Sequence, residues 1–109
     1  MNFHNTADRP ISEEYRIAAK QWVEADAAAN MLEETKSAVL SQKMQALGDM
    51  AVNKAELSVK ASTEWSDFIS AMVLARKTAN LMKVKLEYVR MRYGEWQSAE
   101  ANSRAERKL

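Results

Sequence analysis

The one side chain able to trade a proton near neutral pH is His4, and it stands in a polar lead-in ahead of any element that could fix it. A nucleophile needs its base held at hydrogen-bonding distance, which a histidine in that position does not offer. Carboxylates come as two adjacent pairs, Glu13-Glu14 and Glu33-Glu34. Neighbours on a helix point about 100° apart, so neither pair converges on one substrate. No Glu-x-x-His pair exists to hold a di-iron centre, and no glycine-rich loop to cradle a phosphate. The absence of cysteine excludes a disulfide scaffold, a thiolate metal site and a thiol nucleophile. The expectation is a protein that is not an enzyme, with no catalytic residue, no metal ligand and no cofactor.

Binding chemistry has better candidates. Between Lys83 and Tyr93 the bases Lys83, Lys85, Arg90 and Arg92 interleave with Tyr88 and Tyr93. Lysine and arginine neutralise phosphates with release of counterions, and tyrosine faces stack on unpaired bases. These are the components of a single-stranded nucleic-acid surface. The competing reading is that the bases are solvated flanks of a helical seam that answer acids elsewhere in the chain. Trp22, Trp65 and Trp96, with seven methionines, suit core packing and adaptable partner contacts better than a ligand pocket.

The elements that must position these residues are helices. Two glycines and one proline in 109 residues leave few turns, and alanine, leucine, methionine, glutamate, lysine and arginine favour helix. Residues 1–11 read as a flexible arm. Ser12 is a candidate N-cap, with Glu13 and Glu14 suiting the positive end of the helix dipole. Tyr15, Ala18, Trp22, Ala25, Ala29 and Leu32 then mark one face. Lys36 interrupts it, Val39, Leu40, Met44 and Leu47 resume it, and Gly48 is a natural left-handed terminator. The spacing predicts a helix over 12–47, a connector over 48–62 with a capping pattern at Asn53, and a second helix over 63–106. In that second helix Trp65, Phe68, Met72, Ala75, Ala79, Met82, Leu86, Val89, Tyr93 and Trp96 form an unbroken coiled-coil-like row.

Residues 12–106 therefore read as a single all-α domain, a long antiparallel helical hairpin. Charge favours that orientation. Residues 11–35 hold six acids and two bases, and residues 71–94 hold six bases and one acid. With Leu47 opposite Thr63, Glu33 and Glu34 would lie beside Lys77 and Arg76, and Tyr15 close to Trp96. A second apolar stripe, Leu74, Leu81, Val84, Tyr88 and Met91, lies opposite the first on the same helix. One antiparallel partner cannot cover both sides. A large apolar side chain is worth ~1.5–3 kcal/mol when fully buried, so the stripe predicts self-association, as a homodimer forming a four-helix bundle or as a larger oligomer.

The segment Ala75-Arg-Lys-Thr-Ala-Asn-Leu-Met-Lys-Val-Lys-Leu-Glu-Tyr-Val-Arg-Met-Arg-Tyr93 resembles small helical bacteriophage and prophage proteins, in particular phage recombination mediators. The resemblance covers about the C-terminal third and rests on spaced bases, small residues and tyrosines. It implies a small helical oligomer that binds single-stranded DNA through Lys83, Lys85, Arg90 and Arg92 and works with a recombination or replication protein in the host cell cytoplasm. On that reading the protein assists DNA recombination or replication. The rival is a protein–protein interaction module (inhibitor, adaptor or assembly factor) that uses the Leu74–Met91 stripe and binds no nucleic acid; a bare rod or spacer would need only the hairpin. No uncharged apolar window approaches the ~18 residues of a membrane span, so no membrane partner is expected.

Overall fold

A computed structural model describes residues 9–108. His4 and most of the N-terminal arm lie outside the described residues. Three helices follow in order: α1 (Ile11–Gln45), α2 (Val52–Lys60) and α3 (Thr63–Arg107). There is no strand among the described residues. The chain is an all-α helical hairpin in which α1 and α3 pack against each other. Its contacts divide it into two compact units, Met1–Glu24 with Asn80–Leu109, and Ala25–Ala79.

The ends of the elements follow local chemistry. The Pro10 carbonyl accepts from the Glu13 and Glu14 amides at 3.0 and 3.1 Å, so α1 starts one residue before the expected Ser12 cap, which instead lies inside the first turn. Gly48, at φ +80°, takes the left-handed conformation after α1. The connector is mostly helix. Ala51 stands at the α2 N-cap without a side-chain bond, so Asn53 does not cap it. Ser62 caps α3: its hydroxyl accepts from the Trp65 amide at 3.2 Å and donates to the Val59 carbonyl at 2.6 Å.

In the first unit Ala18, Leu86 and Val89 are buried, with Tyr15, Ala19 and Trp22 packed against them. In the second unit Ala29, Ala55, Val59, Trp65 and Ala79 are buried, and Trp65 stacks on Phe68 with ring centroids 5.6 Å apart. Where Lys36 breaks the face of α1, Thr35 fills the gap and turns its hydroxyl onto the Met31 carbonyl at 2.8 Å. The core is thin: among the described residues, half of the eight buried apolar ones are alanine, which lets backbones approach closely but gains little apolar burial per residue.

The helix pairing is antiparallel, displaced by about one turn from the expected register. Arg90 faces Tyr15 and Arg92 faces Glu14 in the first unit; Trp96 does not lie opposite Tyr15. In the second unit Arg76 reaches Asp26, Asn30 and Glu33, not Glu34. The reason lies in the connector. α1 ends at Gln45 rather than Leu47, and α2 buries Ala55 and Val59, so Leu47 and Thr63 are not mirror positions about a symmetric turn.

Candidate functional site

Helical geometry separates the four bases between Lys83 and Tyr93 into two pairs. Lys85 and Arg92, seven residues apart, share one flank of the α3 seam; Lys83 and Arg90 share the other, roughly 160° round the helix. The two flanks make different contacts with α1. Lys85 Nζ donates to Gln21 Oε1 at 2.9 Å, and Arg92 Nη1 donates to Glu14 Oε2 at 3.0 Å. On the opposite flank Arg90 Nη2 donates to the Tyr15 hydroxyl at 3.1 Å, with its guanidinium 5.9 Å from the ring centroid. Lys83 is exposed and, among the described residues, has neither hydrogen bond nor ion pair. The four do not converge on one surface, and three of them are engaged with α1.

The same use of charge appears in the second unit. Arg76 donates to Glu33 Oε2 at 2.8 Å and Oε1 at 2.9 Å, to Asp26 Oδ1 at 2.7 Å and to Asn30 Oδ1 at 2.6 Å. The hydrogen bond from Arg76 holds the Glu33 carboxyl below its ordinary range, against the opposing effect of desolvation. Glu33 in turn raises the Arg76 guanidinium, with Asp26 second. This cluster fixes the pairing of two helices and leaves no free charge aimed at a ligand.

Glu14 is the least expected of the polar side chains. It is 7 % exposed, and its Oε1 has no hydrogen-bond partner among the described residues. Buried charge is tolerated only with a close counter-charge, and Arg92 supplies it. Nothing in the sequence marks Glu14 apart from Glu13; the signal would have been its heptad spacing to Gln21, which places both on the α1 flank that meets Arg92 and Lys85.

The outer stripe is bare. Leu81, Val84, Tyr88 and Met91 are between 56 and 65 % exposed, and Leu74 is exposed too. The stripe stands roughly 150° from the buried row of α3, so α1 cannot reach it. The Arg92 guanidinium lies 6.0 Å from the Tyr88 ring centroid, and Arg92 also donates to Glu14. Arg92 thus links the Glu14 contact with α1 to an aromatic ring on the outer surface. Separately, Arg9, Pro10, Ile11, Ser12, Tyr93 and Trp96 line a cleft of about 310 Å³, with Tyr93 and Trp96 stacked at 6.0 Å. The cleft carries one cation and no acid–base pair.

No group of three or more histidine, cysteine, aspartate or glutamate side chains is placed to hold a metal among the described residues. No described helix is long and apolar enough to cross a membrane. Comparisons with protein families, with curated proteins and with solved structures find no match to the chain.

Proposed function

We propose that this protein is a non-catalytic assembly module whose working surface is the outer face of α3, and that it associates with further copies of itself through that face. One observation carries the reading. Leu81, Val84, Tyr88 and Met91 form a single helical stripe and stay more than half exposed while the opposite row of the same helix is buried. Contiguous exposed apolar patches larger than a few hundred Å² mark interaction sites in soluble proteins, and four neighbouring large side chains on one stripe approach that size. A standard interface takes about 800 Å² from each partner, more than four side chains provide. Association is accordingly weak and concentration-dependent.

Nucleic-acid binding has less support from the geometry. A single strand following one groove would meet Lys83 and Arg90, or Lys85 and Arg92, and not all four. The residues expected to face DNA mostly face α1.

Sedimentation equilibrium over a wide concentration range tests the reading. The wild-type mass should rise with concentration, and Val84→Glu should hold the chain monomeric with unchanged far-ultraviolet circular dichroism. A wild-type monomer at every concentration would remove self-assembly. A different protein captured on the stripe would then make it a heterotypic module, and salt-dependent oligonucleotide binding would restore the nucleic-acid reading.

A further inference from the structure

The stripe has an internal symmetry that selects how two copies would meet. Along α3 the row through its four central residues runs Lys77, Leu81, Val84, Tyr88, Met91, Glu95, all of them exposed; Leu74, one step beyond Lys77, would meet the partner's Ser98 and adds nothing to the match. The spacings are four, three, four, three and four, identical in both directions about position 86. The chemistry is complementary under that reversal. Running a second copy the opposite way brings Lys77 to the partner's Glu95, Leu81 to the partner's Met91, and Val84 to the partner's Tyr88. A cation meets an anion at each end, one flexible apolar side chain meets another, and the large ring meets the small β-branched residue.

Running the second copy the same way brings every residue opposite itself. Lysine then faces lysine and glutamate faces glutamate on the seam, and two tyrosines meet beside two valines, which leaves a bulge next to a gap. Like charges directly across a helix pair are destabilising, and packing rewards large against small. The flanks weigh slightly the other way: antiparallel pairing sets Lys85 beside Lys85 and Glu87 beside Glu87 near the dyad. Those positions are off the seam and solvated, and Lys85 is drawn to its own Gln21, so their repulsion is screened.

From this symmetry we infer that two copies of the chain pair as a closed antiparallel dimer through Leu81, Val84, Tyr88 and Met91, with Lys77 of each against Glu95 of the other. The inference rests on the self-assembly reading above. It replaces a square four-helix bundle by a different local arrangement. In the unit that holds Ile11–Glu24 and Asn80–Arg107, the stripe points away from the α1 segment, so helices there would succeed one another as α1, α3, α3 of the partner, α1 of the partner. An isologous contact of this kind uses up its own surface and stops at two copies.

The chain has no cysteine, so single introduced thiols report the orientation. Leu81→Cys mixed with Met91→Cys should give a disulfide-linked dimer under mild oxidation, and neither variant alone should do so. Bridging needs Cα atoms within ~7 Å, whereas like positions in the antiparallel pair are separated by about 15 Å along the axis. As a second measurement, Lys77→Glu should weaken self-association about tenfold by turning two attractive pairs repulsive, and Lys77→Glu with Glu95→Lys should return it to near the wild-type value. Cross-linking of each single variant with itself, or failure of the charge exchange to rescue, would overturn the antiparallel pairing while leaving self-assembly standing. Self-association with no cross-link in any mixture would move the interface off this face. Absence of wild-type self-association would sink both.

Discussion

Leu86 and Leu81 lie five residues apart on one helix, and the same substitution at each separates the two faces of α3. Leu86 is 6 % exposed and packs with Ala18 and Val89. Leu86→Ala removes buried methylenes and leaves a space that a thin two-helix core closes only in part. The range for such changes is 2–5 kcal/mol, and partial collapse places this one near the lower end, about 2–3 kcal/mol. Against a total of ~5–15 kcal/mol for a domain, that is a large share. Leu81 is 56 % exposed, so truncation gives up less than half of its transfer energy, and alanine's higher helix propensity offsets part of it. Leu81→Ala should cost about 0.5–1 kcal/mol in the monomer. Urea unfolding followed by circular dichroism, at a concentration low enough to keep the chain monomeric, gives both values. Repeating it at high concentration should widen the Leu81→Ala deficit, because association stabilises only the competent chain. Equal costs at low concentration, or a Leu86→Ala cost under about 1 kcal/mol, would refute the assignment of faces.

Four further single substitutions and one double variant probe the polar contacts and the glycines. Arg92→Met strands Glu14 as a buried, unpaired carboxylate; with Arg92 itself partly solvated, the expected cost is about 1–3 kcal/mol, and the Glu14→Leu/Arg92→Leu double variant should recover part of it in the same urea assay. Arg76→Ala should change how stability depends on acid: Glu33 is held below its ordinary value of 4.5, so its contribution is fully present above 4.5 and is lost as pH falls from there through the lowered folded value, and the gap in melting temperature between wild type and variant should begin to narrow below pH 4.5. Gly48→Ala should cost about 1 kcal/mol because φ is +80° there, whereas Gly94→Ala, inside α3 with nothing within 4 Å of an added Cβ, should stabilise by about 0.5–1 kcal/mol; differential scanning calorimetry resolves opposite signs.

Much of the fold was legible because bulky residues at a 3.5-residue spacing admit few alternatives. The row from Trp65 to Tyr93 is buried or half-buried throughout, and only Trp96 at its end opens to solvent. Gly48 was readable for a similar reason, since a left-handed terminator after a helix suits glycine. The helix pairing was harder. On α1 the inward face is carried by Ala18, Ala25 and Ala29, and small side chains fit the opposing helix about equally well one turn away. The choice falls to long-range contacts such as Arg76 with Asp26 and Glu33, which no local pattern encodes. The cap at Asn53 failed because a helix starts where the chain can turn, and that is set by the burial of Ala55 and Val59. At the candidate site the stripe was visible as a period. The engagement of Lys85, Arg90 and Arg92 with α1 was not visible, because it depends on which flank of the seam each side chain occupies.

That division of the bases yields a discriminating measurement for nucleic acid. Each phosphate neutralised on a single strand contributes a slope of about −0.7 to the dependence of log K on log salt. Four cooperating bases would give a slope near −3. With Lys85 on Gln21, Arg92 on Glu14 and the two flanks on opposite sides of the seam, a strand can recruit Lys83 and, by displacing Tyr15, Arg90. The slope should therefore lie between about −0.7 and −1.4, and Lys85→Ala or Arg92→Ala should leave it unchanged. Fluorescence anisotropy with a labelled single-stranded oligonucleotide, titrated from low to physiological salt, measures it directly. A slope near −3 that falls by one step with each of the four alanine variants would mean that the α1 contacts give way to phosphate, and the basic segment would then be a binding surface rather than the solvated edge of a helical seam.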